Sequence, residues 1–295
     1  MENKFFVSYA LNDHIDQILG QGGELCYLVK GEKEAVLIDG LEGAGSLKSF
    51  VEELTDLPVK LVLTHGHLDH IGAAFEYKCC MIHPDDMDLF YDERHLSRES
   101  RWQFARVPSP LASHQLADLR IEDVADACEV RMSPLYDGDI IDAAGIELEV
   151  IGVPGHTYGT VVFLDRMDRL LFSGDACNLN TLLGMKGSTS IEEYLESLHH
   201  LKTFDDAYDV MYGGHGTPPV DKSIVDDAIA MCERIIARTD EKVPARSLDH
   251  EPVYYGSARN PDITPRCGGL ANIQYKESEI KKGSVAKYRP FVKQI

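Results

Sequence analysis

A dense group of histidine and aspartate side chains occupies residues 64–70, where the sequence reads THGHLDH. Four of these residues can bind a metal ion: His65, His67, Asp69 and His70. They directly follow residues 59–63, which have the pattern of a short buried strand, and binding groups collect in loops at strand ends. A loop that turns at Gly66 can direct the first two ligands toward one point and the last two toward a second. Because imidazole and carboxylate suit zinc, iron and manganese, the segment predicts a metal site.

Three later segments each have an apolar strand, then glycine, then a potential ligand. The sequence reads PGHT at 154–157, SGD at 173–175 and GGHG at 213–216. Glycine leaves room where the backbone must pass close to an ion. A single histidine or aspartate after a strand usually has a structural role. Together with the first motif, however, the three segments predict that His156, Asp175 and His215 complete the metal site.

These four motifs, in this order, resemble those of the metallo-β-lactamase superfamily, in particular its glyoxalase-II-like hydrolase branch. The resemblance extends over about residues 20–240. It implies an α/β fold, a four-layer αββα sandwich with the metal site at one edge. It also implies that His65, His67 and His156 hold a first metal ion. Asp69, His70 and His215 would hold a second ion, and Asp175 would bridge the two.

Two positions differ from related groups of this superfamily. The true β-lactamases use a cysteine ligand where this chain has Asp175, and Cys177, two residues later, is not expected to bind metal. Many acyl-homoserine lactonases carry a tyrosine three residues after the bridging aspartate, where this chain has Asn178.

The resemblance implies a hydrolase with two divalent metal ions, zinc being expected first and iron or manganese as alternatives. Such a pair lowers the pKa of a shared water, and the resulting hydroxide would attack a carbonyl carbon. Asp69 is the expected catalytic residue because its carboxylate can orient this nucleophile. The predicted substrate is a small acyl compound, namely a thioester, an ester or a lactone.

Two other functions are compatible with the same ligands. A phosphodiesterase or nuclease could use the same metal pair, and a non-catalytic module could bind metal without turnover. The chain carries 29 Lys and Arg against 49 Asp and Glu, a formal charge of −20, which disfavours a nucleic-acid substrate. The complete set of seven ligands disfavours the non-catalytic module.

Composition and segment patterns constrain location and partners. The chain has seven scattered cysteines, no apolar stretch of membrane-spanning length and no basic-then-apolar N-terminus. These features predict a cytoplasmic protein with reduced thiols, a small-molecule substrate, and neither a membrane nor a nucleic-acid partner. They leave the oligomeric state open.

The elements that must position the ligands are alternating strands and helices. Strands are predicted near 25–38, 79–82, 146–151, 161–173 and 210–212, and helices near 46–55, 191–202 and 221–238. Residues 1–240 are predicted to form one hydrolase domain. Residues 84–128, divided by Pro108 and Pro110, would be a helical insertion and possible lid, and residues 241–295 an irregular extension packed on the same domain.

Three residues are candidates for contact with the substrate. Tyr158 follows His156 by two residues, and Asn178 lies in the loop after Asp175. Arg101 belongs to the helical insertion, from which a guanidinium could bind a substrate carboxylate with two hydrogen bonds.

Overall fold

A computed structural model describes residues 4–107, 119–216, 219–248 and 250–285. Its strands form two large sheets and one small sheet. The first sheet has seven strands in chain order, antiparallel from β1 to β4 and parallel from β4 to β7. These strands are β1 (Val7–Ala10), β2 (Ile15–Leu19), β3 (Leu25–Lys30), β4 (Ala35–Ile38), β5 (Val59–Val62), β6 (Cys79–Ile82) and β7 (Arg131–Pro134).

The second sheet has six strands in the order β14-β13-β11-β10-β9-β8. Its members are β8 (Ile140–Asp142), β9 (Glu147–Gly152), β10 (Val161–Asp165), β11 (Leu170–Gly174), β13 (Val210–Gly213) and β14 (Val220–Asp221). The β11 and β13 strands are parallel, so their carboxyl ends meet at one edge of the sheet. The potential ligands that follow these two strands are therefore delivered to the same place.

Side chains alternate between the two faces of each strand, and this alternation determines which residues form the core between the two large sheets. In β3, Leu25 and Tyr27 face the second sheet, whereas Cys26 and Leu28 face the helices outside the first sheet. In β10, alternate residues likewise face the first sheet or the outer helices. Because both faces are covered, these strands are apolar throughout, which explains why their sequences read as continuous apolar runs.

Helices cover both outer faces of the sandwich. The helices of the described residues are α1 (Leu47–Leu54), α2 (Ala74–Tyr77), α3 (Pro84–Phe90), α4 (Glu93–Leu96), α5 (Arg98–Ala105), α6 (Ile191–Lys202) and α7 (Ile224–Ile236). The α1 and α2 helices pack on the first sheet, and α6 and α7 pack on the second. The predicted four-layer αββα sandwich is confirmed. None of the helices in the described ranges has the length and apolar character needed to cross a membrane.

The predicted insertion begins with three short helices, α3 to α5. Each starts at a side chain that caps the first turn: His83, Asp92 and Ser97 accept hydrogen bonds from backbone N–H groups. The part of the insertion at residues 108–118, which includes Pro108 and Pro110, lies outside the described residues. The α5 helix ends beside the cavity described below.

The prediction of an irregular C-terminal tail was wrong. Residues after 240 form β15 (Val243–Arg246), β16 (Pro252–Tyr255) and β17 (Asn272–Tyr275), which join β12 (Asn180–Leu182) in a four-stranded sheet. Prolines at both ends of the β15–β16 pair and the polar sequence of β17 hide the strand pattern. Because β12 lies about ninety residues earlier than its partner β17, no local signal reveals the pairing.

Candidate metal centre

The seven predicted ligands lie together at one edge of the sandwich, in loops that follow β5, β9, β11 and β13. The two large sheets are joined at this edge by backbone hydrogen bonds. Val161 donates to the carbonyl of Thr64 at 2.9 Å, and Leu25 donates to the carbonyl of Gly214 at 2.7 Å. A Cβ on Gly214 would lie 2.7 Å from His70 and 2.9 Å from Asp175, so the glycine before His215 is needed for this close approach.

The first group of ligands consists of three buried imidazoles, His65, His67 and His156. One ring nitrogen from each lies within 4.8 Å of the others. The Nδ1 atom of His67 is 2.9 Å from Nε2 of His156. Burial lowers the pKa of all three rings. They are therefore neutral near pH 7 and have lone pairs to offer to a cation.

The second group contains Asp69, His70 and His215, with His215 Nε2 located 3.1 Å from Asp69 Oδ2. Burial opposes protonation of His70, but Asp39 and Asp69 raise its pKa to about 10. Burial also lowers the pKa of His215, but the charges of Asp175 and Asp69 outweigh this effect and raise the pKa to about 9. Burial raises the pKa of Asp69, yet His70 and His215 hold it well below its usual range. Two protonated imidazoles thus balance the carboxylates, and a bound cation would replace those protons.

Asp175 contacts imidazoles of both groups. Its Oδ2 atom lies 3.5 Å from Nε2 of His156, 3.5 Å from Nε2 of His215 and 3.9 Å from Nε2 of His70. It is therefore located where a carboxylate could bridge two ions, the role that the family resemblance implies.

The donor set fits a metal site. Within the described ranges, the Nε2 atoms of His65 and His70 are buried and have no hydrogen-bond partner. A buried polar atom without a partner is destabilising unless an ion or water satisfies it. Imidazole and carboxylate are the usual ligands of zinc, iron and manganese. The geometry and the orphaned nitrogens therefore both indicate divalent metal binding.

Asp39 holds His70 in place and was not predicted as a functional residue. Its carboxylate accepts hydrogen bonds from the backbone and hydroxyl of Thr64, at 2.7 and 2.8 Å, and lies 2.9 Å from His70 Nδ1. This contact directs the other ring nitrogen of His70 toward the cluster. The sequence offers one signal for this residue, since Asp39 directly follows the buried strand β4.

Asp86 connects two of the ligand loops and was also not predicted. It is only 1% exposed and accepts hydrogen bonds from Gly66 N, Gly159 N and the Thr157 hydroxyl, at 2.8, 2.8 and 2.6 Å. Burial raises its pKa to about 6, although these three donors act in the opposite direction. The first helix of the insertion thus fixes the loop of the THGHLDH motif to the loop that carries His156.

A cavity of about 630 Å³ opens directly onto the cluster. Most of its lining is apolar, and the contributing side chains include Leu68, Phe104, Leu182, Leu248, Tyr255 and Ile263. Arg94 and Arg259 are exposed at its border. Three of these apolar residues come from the C-terminal segment after residue 240, so the small sheet takes part in building the cavity.

The three predicted substrate contacts have different locations. Asn178 lines the cavity, and its amide nitrogen donates to Asp175 Oδ1 at 3.0 Å. Tyr158 is buried, donates to the carbonyl of Val285 at 3.2 Å, and is not among the described residues that line the cavity.

The prediction that Arg101 contacts substrate disagrees with its location. Its guanidinium is fully buried and donates to the carbonyls of Glu42 at 3.1 Å and Ala125 at 2.6 Å, away from the cavity. It also stacks on the ring of Phe75, at 4.7 Å from the centroid. Arg101 therefore fixes the insertion to α2 and to the loop after β4, a role that its charged helical sequence does not reveal.

Cys177 lies apart from the metal cluster, in agreement with its absence from the predicted ligands. Its thiol is buried against α7 and donates to the carbonyl of Ile224 at 3.8 Å. Burial raises its pKa to about 12, so the thiol stays protonated.

Comparison with known proteins agrees with this geometry. The family model of the metallo-beta-lactamase superfamily matches residues 19–78 and 83–215. Human acyl-coenzyme A thioesterase MBLAC2 is 26% identical over 193 residues, covering 59% of this chain and 66% of that protein. Hydroxyacylglutathione hydrolase GloC of Haemophilus influenzae is 33% identical over 146 residues, covering 49% and 61%. The chain thus spans slightly less than two thirds of the length of each relative.

Among solved structures, the metallo-beta-lactamase from Pontibacter korlensis superimposes with a TM-score of 0.57 at 16% identity. The match covers 77% of this chain and 99% of that chain. At this level of identity the likeness concerns the fold alone.

Proposed function

The chain belongs to the metallo-β-lactamase superfamily, and we propose that it is a hydrolase of small acyl compounds that works with two divalent metal ions. The main support for this proposal is the position of the largely apolar cavity, which opens onto the seven predicted ligands. An acyl group can occupy such a cavity with its carbonyl carbon at the cluster.

The metal ions would be held as two sets of protein ligands. His65, His67 and His156 would hold the first ion, and Asp69, His70 and His215 the second, with Asp175 between them. Zinc is our first choice because its common ligands are imidazole and carboxylate, although iron and manganese accept the same donors. When bound, such a pair lowers the pKa of water toward neutrality and polarises a carbonyl group.

The side chains of the chain itself prepare this site for hydrolysis. We assign Asp69 the role of orienting the attacking water through Oδ2, since this atom faces the cluster beside His215. Asn178 fixes the carboxylate of Asp175 by its hydrogen bond to Oδ1. Leu68 and Leu182 line the cavity beside the ligands and would exclude bulk water from the reacting carbonyl.

Two further observations favour acyl substrates over phosphodiesters. The relatives reported above are an acyl-coenzyme A thioesterase and a hydroxyacylglutathione hydrolase, both of which act on acyl compounds. The apolar walls of the cavity offer little to a polyanionic backbone, and the net charge of −20 repels one. Within the acyl class, we propose thioesters as the first candidates, followed by esters and lactones.

The proposal is tested by a substrate panel combined with metal removal. The purified protein is assayed on acyl-coenzyme A, S-acyl glutathione, lactone and p-nitrophenyl ester substrates, with bis(p-nitrophenyl) phosphate as the phosphodiester. We expect hydrolysis of at least one acyl class, loss of this activity after chelation, and recovery on addition of Zn²⁺, Mn²⁺ or Fe²⁺. Activity that survives complete metal removal, or a preference for the phosphodiester, would contradict the proposal.

A further inference from the structure

A second cluster of potential ligands lies away from the catalytic centre. It consists of His14 in the loop before β2, Asp165 at the end of β10, and Asp168 in the turn between β10 and β11. One ligand atom from each residue lies within 4.8 Å of the others. The His14 Nε2 atom is 2.6 Å from Asp168 Oδ2. The three residues come from both large sheets.

This cluster is located at the opposite end of the strands from the catalytic residues. The β10 strand begins at Val161, which is hydrogen-bonded to Thr64 beside the THGHLDH motif, and it ends at Asp165. Four residue steps in an extended strand span about 13 Å. The cluster is therefore separate from the cavity and from the seven predicted ligands.

Two buried atoms in the cluster lack hydrogen-bond partners among the described residues: Asp165 Oδ2 and His14 Nε2. Asp165 is 0% exposed, and only its Oδ1 atom is satisfied, by the backbone N–H groups of Met167 and Asp168. The His14 nitrogen is near Asp168 but is not aligned with it for a hydrogen bond. The catalytic cluster has the same signature, since His65 Nε2 and His70 Nε2 are also buried without partners.

Nearby basic side chains do not neutralise the two aspartates. Arg166 and Arg169 lie in the same turn, but Arg166 pairs with Glu149 at 2.6 Å and Arg169 pairs with Asp209 at 2.6 Å. In the described ranges, no lysine or arginine forms an ion pair with Asp165 or Asp168. The two carboxylates therefore carry a negative charge that the single imidazole does not balance and that a divalent cation would.

We propose that His14, Asp165 and Asp168 bind one divalent transition-metal ion, zinc being the best fit to one imidazole and two carboxylates. Asn12 supports the site: its amide nitrogen donates to Asp168 Oδ2 at 2.7 Å, and its Oδ1 accepts from the N–H groups of His14 and Ile15. The ion ties the first sheet to the second at the end opposite the catalytic centre. Its role is structural, and it adds one ion to those of the catalytic cluster.

The test is a zinc count on the full chain and two variants, H14A and D168N. Each protein is stripped with a chelator, reloaded with excess Zn²⁺, separated from free metal, and analysed by mass spectrometry for bound zinc. We expect each variant to hold about one equivalent of zinc less per chain than the wild type, with the hydrolytic rate unchanged. D168N preserves the size of the side chain, and circular dichroism checks that both variants are folded.

A matched control is H200A. His200 also pairs with an aspartate, Asp137 at 3.1 Å, but both side chains are exposed and no buried carboxylate lies with them. H200A should retain the zinc content of the wild type. Equal zinc in the wild type, H14A and D168N would overturn the proposal, as would an equal loss in H200A. A third outcome separates the two proposals. If the wild type binds one zinc that H14A lacks, and no metal binds at the seven-ligand cluster, the proposed function fails and this inference stands.

Discussion

The cavity has two walls that differ in origin and in chemistry. The inner wall is the ligand cluster with Asn178, and it is built from loops at the strand ends of the two large sheets, within the region matched by the family model. The outer wall consists of Phe104 from the insertion and of three residues from the C-terminal segment that carries the small sheet: Leu248, Tyr255 and Ile263. The first wall is polar and buried, and the second is apolar and partly exposed.

If the proposed function holds, this contrast predicts that reaction chemistry and substrate selection depend on separate parts of the chain. The inner wall is fixed by buried hydrogen bonds, so a change there should affect catalysis or stability. In the proposed function the outer wall would contact the substrate through apolar side chains, so a change there should affect binding more than turnover. Four substitutions test this division, in order of decreasing effect.

The largest effect is expected for Asp175→Ala in the inner wall. The carboxylate lies within 3.9 Å of three imidazoles in the cluster, so its loss removes the carboxylate that contacts both ligand groups. We expect turnover to fall to the background rate, measured on the best acyl substrate at full metal loading. Cys177→Ser is the matched control, because this buried side chain lies two residues later and outside the cluster. An active D175A enzyme with full metal would contradict the assignment of the inner wall.

Asp86→Ala tests whether the insertion also supports the inner wall. The substitution leaves the buried N–H groups of Gly66 and Gly159 without an acceptor, and each such loss costs about 1–3 kcal/mol. We expect the free energy of unfolding to fall by about 2–4 kcal/mol in urea denaturation, with weaker metal retention. Asp88→Ala, on the same helix, should change both quantities far less. Equal stability of D86A and the wild type would show that the two loops are held by other contacts.

Asp39→Asn should have a smaller effect, because it alters the orientation of one ligand and removes none. The neutral amide cannot stabilise the imidazole of His70 as the carboxylate does. Changes in such supporting residues typically reduce metal affinity or activity by about 10–100-fold. Metal titration of D39N should detect this loss, and excess metal should restore part of the activity. An unchanged affinity would mean that Thr64 and the buried surroundings orient His70 without Asp39.

The sequence predicted the inner wall far better than the outer wall. The strands that deliver the ligands contain buried apolar residues, and these apolar runs and the glycines that follow them are local signals. Asp39 was marked only by its place directly after β4, and Asp86 had no local signal, because the sequence does not distinguish a buried acceptor among 49 acidic residues. Arg101 had the sequence of a solvated helix but is fully buried. The outer wall depends on pairing between β12 and β17, which are distant in sequence, so its position could only be seen in the folded chain.

The smallest effect is expected for Tyr255→Ala in the outer wall, and its neighbour provides the control. Tyr255 lines the cavity, with the guanidinium of Arg259 located 4.5 Å from its ring centroid, whereas Tyr254 packs toward α7 and Tyr275. Because Tyr255 is partly exposed, we expect the lower end of the ~1–3 kcal/mol that one apolar substrate contact contributes, so KM should rise about five- to tenfold while kcat and bound metal stay constant. Tyr254→Ala, on the other face of the strand, should lower stability and leave KM unchanged. If Y255A reduces kcat as strongly as it raises KM, the two walls are coupled, and the separation of chemistry from selection does not hold.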